Sequence, residues 1–213
     1  MSRQHDGLGR ITEDNGFPNV EARVEFGFGP RGEIRGGTRR PLEWGVSGVV
    51  GQFRTTRTLL ADPADLPPRA VIDTWGIGTD IEWWGSDCFG SRGEFYHGQG
   101  LGEYNGGVLQ SFNSVTLEEV TSSGGFGEVF GYLTDSFHVH VGYGIDDPQD
   151  SDLAPTQILR NQTYFCNFVW DLSKAVQLGL QVDYRKTDYT QFQPNAFLDA
   201  DGVIIGSRFL WRF

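Results

Sequence analysis

The sequence predicts an all-β chain whose strands form an antiparallel transmembrane β-barrel. Three observations carry the prediction. Apolar residues recur at every second position over about nine segments, which is the period of a strand with two unlike faces. The connections between these segments alternate long and short when read back from the C terminus. Trp and Tyr collect near the ends of the segments, on their apolar faces.

Composition agrees. The chain has 213 residues with 30 Gly, 14% aromatics and a single Met, a mixture that favours strands over helices. No run approaches the about 18 apolar residues of a membrane helix, which excludes a helical membrane protein and leaves a barrel open, because barrel strands are only half apolar. The net charge of -11 argues against nucleic acid as a partner. Cys88 and Cys166 are too few for a disulfide framework and read as unpaired thiols. The opening MSRQHDGLGR lacks the apolar stretch of a signal peptide.

Residues 1–18 are polar, rich in Gly and Asp and without a period; they read as an irregular segment, and residues 19–213 as the barrel. The first strand is Val20 to Phe28, with Val20, Ala22, Val24, Phe26 and Phe28 opposite Glu21, Arg23 and Glu25. The second runs from Leu42 to about Arg54, led by Leu42, Trp44 and Val46. The third is Val71 to Trp84, in which Val71, Trp75, Ile77, Ile81 and Trp83 share a face. The fourth, about Arg92 to Tyr104, puts Gly98, Gly100 and Gly102 on one face. The fifth, Phe126 to Leu133, is ambiguous: Phe126, Phe130 and Tyr132 claim a face that Glu128 shares. The sixth, Phe137 to Tyr143, sets Phe137, Val139, Val141 and Tyr143 against His138 and His140. The seventh, about Leu159 to Trp170, sets Tyr164, Cys166, Phe168 and Trp170 against Asn161, Thr163 and Asn167. The eighth sets Val176, Leu178, Leu180, Val182 and Tyr184 against Gln177, Gly179, Gln181, Asp183 and Arg185. The ninth is Asp201 to Phe213.

Counting back, the connections are long (about Lys186 to Ala200), short (Asp171 to Lys174), long (Ile145 to about Ile158), short (Thr134 to Ser136), long (Asn105 to Gly124), short (Gly85 to Ser91) and long (Thr55 to Ala70); Gly29 to Arg40 is intermediate. Tight turns at one end and large loops at the other are the pattern of a membrane barrel, whereas a sandwich has no reason to sort loop length by end. With Phe213 at the tight-turn end, Trp44, Trp83, Phe137, Trp170 and Trp211 share that end, and Tyr143 and Tyr184 mark the other. Trp44, Trp83, Trp170, Trp211, Phe213, Tyr143 and Tyr184 are therefore expected as membrane girdles.

Motifs for chemistry are weak. Gly27-x-Gly29-x-x-Gly32 matches a dinucleotide fingerprint in form, but Gly36, Gly37 and Pro41 follow in place of a helix, so it reads as a turn. His138-x-His140 puts two imidazoles on one strand face without a third ligand, a pattern that favours polar lining over metal. The acids Asp146, Asp147, Asp150 and Asp152 read as a solvated loop; calcium is left open, since EF-hand spacing is absent. Asn161-Gln162-Thr163 is a formal glycosylation sequon. There is no GxSxG and no nucleophile-base pair, so the chain is expected not to be an enzyme and to need no metal or cofactor.

The ending DGVIIGSRFLWRF resembles the C-terminal signature of bacterial outer-membrane β-barrels, a terminal Phe preceded by aromatic or aliphatic residues at alternate positions. That resemblance implies a last strand read by the barrel-insertion machinery. Over about residues 124–213, the strand Asn161 to Trp170, the DLSK turn, LGLQVDYRKTDY and GSRFLWRF are similar to the C-terminal half of porins, in particular DcaP-like porins and the porin-like barrels of planctomycetes. The resemblance implies a bacterial outer-membrane location, contact with lipid and passive diffusion of small polar solutes, with a homotrimer among the assemblies it allows. The expected pore-lining residues are Glu21, Arg23, Glu25, His138, His140, Asn161, Asn167, Gln177, Gln181, Asp183, Arg185 and Arg208. Bacterial single-chain barrels have an even number of strands. Nine strands and no signal peptide therefore lead us to expect the C-terminal part of a larger barrel; the alternative is that residues 1–18 hide a tenth strand and the barrel is small and closed. The competing reading is a secreted β-sandwich that binds carbohydrate through surface aromatics, and an outer-membrane enzyme is a third.

Overall fold

Alternating residues give strands a register that a slip of one residue would turn inside out. The computed structural model describes residues 4–5, 11–12, 17–34, 37–56, 69–190 and 199–212. In chain order the strands are β1 (Gln4–His5), β2 (Ile11–Thr12), β3 (Val20–Phe28), β4 (Gly32–Ile34), β5 (Gly37–Arg39), β6 (Leu42–Thr56), β7 (Arg69–Ser86), β8 (Phe89–Gln99), β9 (Thr121–Tyr132), β10 (Phe137–Pro148), β11 (Ile158–Asp171), β12 (Val176–Tyr189) and β13 (Asp199–Trp211). The nine long strands pair antiparallel in the order β3, β6, β7, β8, β9, β10, β11, β12, β13. Strands β4 and β5 form a small hairpin between β3 and β6. Among the described residues β3 and β13 do not pair with each other, so the sheet is an open, incomplete barrel wall.

The registers sort the side chains into two faces. One face takes Val24, Val46 and Thr79 in line across β3, β6 and β7, and Cys166, Val182 and Ile205 in line across β11, β12 and β13. This apolar face carries no second layer among the described residues: Ile205 is 70% exposed and Phe209 65%. The opposite, polar face carries Arg23 and Ser47 in register, His140 and Asn167, and Gln181 with Gly206. It is the covered face, where Ile72, Leu101 and Val120 are buried.

Several boundaries differ from the sequence reading. Residues 1–18 are not wholly irregular, because β1 pairs with β2 and Thr12 pairs with Thr55 of β6. The fourth strand begins at Phe89 and ends at Gln99, and Leu101–Tyr104 is a 3₁₀ turn instead. The fifth begins at Thr121, where Ser122, Ser123 and Gly124 find ladder partners on both sides. Asp146 and Asp147 are not loop residues but the end of β10, drawn into the sheet by pairing with Gly124 and Ser123; of the acidic cluster, Asp150–Asp152 forms a 3₁₀ turn. The ambiguous face of the fifth strand is settled by its neighbours: Phe126, Glu128, Phe130 and Tyr132 all align with polar-face positions of β8 and β10. Cys88 and Cys166 are both free, as expected.

Candidate functional site

Every residue expected to line a pore falls on the polar face by register: Glu21, Arg23 and Glu25 on β3, His138 and His140 on β10, Asn161 and Asn167 on β11, Gln177, Gln181, Asp183 and Arg185 on β12, and Arg208 on β13. The structure groups them with partners that sequence reasoning missed. Arg23 donates to Asp80 at 2.8 Å and to Glu25 at 3.4 Å. Gln181 donates to both oxygens of Asp183 at 2.8 Å, and Arg185 reaches the same carboxylate at 3.4 Å. Arg208 donates to Gln177. The arginines are thus held by neighbours along the wall. The β3 group and the β12–β13 group lie near opposite edges of the sheet and do not meet.

The two histidines belong to a longer chain of bonds. Glu128 is buried and accepts from Arg92 Nε at 2.7 Å and from His140 Nδ1 at 2.9 Å. His140 Nε2 lies 2.8 Å from His138 Nδ1, and His138 Nε2 lies 3.5 Å from Asp171. Neutral rings make the first two of these bonds if His138 donates through Nδ1 to His140 and His140 donates through Nδ1 to Glu128; that tautomer leaves no proton on His138 Nε2 for Asp171. Tyr132 stacks on His138 with centroids 4.5 Å apart, and Phe130 on His140 at 5.3 Å. Trp84 meets Phe130 edge-on at 4.7 Å and donates to Glu82, which also pairs with Arg39. All of these groups except Glu128 and Asp171 line a recess of about 550 Å³ at the tight-turn end of the polar face, together with Gln177, Gln181 and Arg208. The signal for it was present in the sequence as the conflict between Glu128 and its aromatic neighbours on β9. No group of three or more metal-ligating side chains occurs among the described residues.

Between β8 and β9 the chain does not loop away from the sheet. Residues 101–120 fold back across the polar face as a strap. Leu101 rests on Gly76 and Gly98: a Cβ on Gly76 would come within 2.9 Å of its side chain, and one on Gly98 within 2.2 Å of the Trp75 carbonyl. The strap then crosses Tyr96, whose hydroxyl accepts from Gly107 N–H at 3.1 Å, and reaches β10, where Asp146 accepts from Val108 N–H at 2.6 Å and from the Tyr96 hydroxyl. Its second half is tied to the β10–β11 connection. Gln110 exchanges two bonds with the backbone of Ile158, Asn113 donates to the Asp152 carbonyl, and Gln157 donates to the Phe112 carbonyl. Nothing periodic in residues 101–120 announces this, since the ties go in turn to β8, to β10, to the start of β11 and to the β10–β11 connection.

On the apolar face, aromatic rings form two rows. Toward the tight turns, Phe26 stacks on Trp44 at 5.4 Å, Trp83 meets Phe89 at 6.1 Å and Phe137 stacks on Trp170 at 4.6 Å. Trp211 pairs with Val176 at the same end. Toward the loops, Tyr143, Tyr164 and Tyr184 stand side by side on β10, β11 and β12. The expected Phe213 lies outside the described residues. Two tryptophans outside the expected girdle stand elsewhere: Trp84 is on the polar face, and Trp75 stands farther from the tight turns, opposite Val50 and Gln99.

No family model matches this sequence, and no curated protein matches it. Among solved structures, the outer membrane channel DcaP of Acinetobacter baumannii is similar to it over 100% of this chain, with a TM-score of 0.68 and 12% sequence identity. The match spans 56% of that channel's chain. With an open antiparallel wall, one bare apolar face and one polar face crossed by a strap, this chain has the DcaP-like porin fold.

Proposed function

We propose that the chain forms part of the wall of an outer-membrane channel through which small polar solutes diffuse passively. The observation that carries this reading is the bare apolar face. A Val, Leu, Ile or Phe side chain left half exposed forgoes on the order of 1 kcal/mol, and more than a dozen such side chains stand on this one face. Their sum is comparable with the whole net stability of a domain, about 5–15 kcal/mol. Lipid is the environment in which that face is at no disadvantage, and Trp and Tyr rows at its two ends suit the two lipid–water interfaces. A secreted sandwich would instead bury it beneath a second sheet.

In this reading the polar face lines water. Arg23, Arg185 and Arg208, with the carboxylates beside them, set its field, and the strap narrows the passage near the loop end. No chemical step is involved, and no metal or cofactor. Lipid, the barrel-insertion machinery and a trimeric assembly belong to the same proposal. The full-length protein should fractionate with the outer membrane, require detergent for extraction and give discrete conductance steps in a planar bilayer. Extraction in plain buffer would contradict it.

A further inference from the structure

The strap has an uneven construction. Residues 110–120 are held by several independent bonds to the connection 149–158. Residues 101–109 cross the polar face with Tyr104 bonded to Asn19 and Glu21 at one side, and across to β10 they are held by one side chain, Asp146, which accepts from Val108 N–H and from the Tyr96 hydroxyl that in turn takes Gly107 N–H. At that point the backbone is strained. Val108 has φ 52° and ψ 41°, and Leu109 has φ 62°. Left-handed backbone is costly for any residue with a Cβ and most of all for a β-branched one. Two such residues in succession persist only where the surroundings hold them.

We propose that Asp146 is the clasp of a two-state strap: its two oxygens hold residues 101–109 across the polar face in a strained form, and losing those bonds lets Val108 and Leu109 relax and the strap lift. The effect on solute passage rests on the channel reading above; the strap equilibrium itself does not. Asp146 acts here as a positioning residue, through the backbone it holds.

The test uses the full-length protein in lipid vesicles and reads amide hydrogen exchange in residues 101–109 and 110–120 separately. Asp146→Ala should speed exchange in 101–109 by roughly tenfold or more while 110–120 stays protected, because the two halves open independently. Val108→Gly removes the strain at 108, the β-branched one of the two positions, without touching the clasp, since Gly accepts left-handed backbone freely. The double variant Asp146→Ala with Val108→Gly should therefore recover much of the lost protection in 101–109. A structural role alone would not give that rescue. Tyr96→Phe leaves the Val108 bond but removes the hydroxyl that donates to Asp146 and accepts from Gly107 N–H, so it too should speed exchange in 101–109 while 110–120 stays protected. Unchanged exchange in Asp146→Ala overturns the proposal, and so does equal loss in both halves or failure of the glycine rescue. Single-channel recording separates the two readings. A larger conductance in Asp146→Ala than in wild type is expected. Absence of conductance from every variant overturns the channel while leaving the exchange result to judge the clasp, and identical conductance in wild type and Asp146→Ala overturns the clasp as a control on passage.

Discussion

Tyr143 and Tyr164 face one another across β10 and β11 on the apolar face, with ring centroids 4.8 Å apart, and Tyr184 continues the row at 6.3 Å from Tyr164. At the other end of the same strands Phe137 stacks on Trp170. Between the two rows the face is occupied by Val139 and Val141 on β10, Cys166 and Phe168 on β11, and Leu178, Leu180 and Val182 on β12. An apolar band bounded by amphipathic rings on both sides has a direct consequence for fluorescence.

In single-tryptophan variants reconstituted with brominated lipid, Trp44, Trp83, Trp170 and Trp211 should all be quenched, and to a similar depth. Trp84, which is buried on the polar face against Phe130, should be spared. Strong quenching of Trp84 with sparing of Trp170 would invert the face assignment.

Adjacent residues of β12 should respond in opposite ways to the same charge. Leu180 lies on the apolar face beside Phe168, and Gln181 on the polar face beside Asn167. Leu180→Arg should cost about 2–4 kcal/mol if it sits near the bilayer midplane. Gln181→Arg should change stability little and shift ion selectivity toward anions. Urea unfolding in vesicles gives the first quantity, and the reversal potential under a salt gradient gives the second.

Glu128 is the buried acceptor on which both Arg92 and His140 converge. Both donors bond the same oxygen, Oε1, so Glu128→Gln can keep an amide oxygen toward them; what it removes is the charge. Bonds to charged groups contribute about 1.5–3 kcal/mol, so a loss of that order is expected in the same unfolding assay. An unchanged midpoint would show that the network of Arg92, Glu128, His140 and His138 does not support the wall.

Much of this architecture could be read in the sequence because strands with two unlike faces write their period into the chain. Each of the nine alternating segments became a strand, and the eighth, with Val176 to Tyr184 set against Gln177 to Arg185, kept the faces assigned to it. Period fails where side chains do not alternate by burial. Asp146, Asp147 and Pro148 are residues typical of turns, yet pairing with Gly124, Ser123 and Ser122 extends β10 through them. The fifth strand looked ambiguous because glycines at 125, 127 and 131 leave its apolar face without large side chains apart from Val129, while Phe130 and Tyr132 stack on histidines of the polar face. The strap was invisible for a deeper reason. Its form depends on contacts with residues about 30 to 50 positions away, such as Val108 with Asp146 and Gln110 with Ile158, and on a backbone conformation at Val108 that residue type alone argues against.

The central claim is that one face of this sheet meets lipid and the other meets water, and an accessibility scan along β12 tests it most directly. Cys88 and Cys166 are first replaced by Ser, and single cysteines are then placed at each position from Gln177 to Tyr184 in the full-length protein in vesicles. A membrane-impermeant, water-soluble thiol reagent should modify positions 177, 179 and 181, with a fall in conductance at each, and should leave 178, 180 and 182 unmodified; position 183, where Asp183 is buried, carries no part of the test. Uniform modification along the strand, or modification of 178, 180 and 182 in preference to their neighbours, would contradict the account.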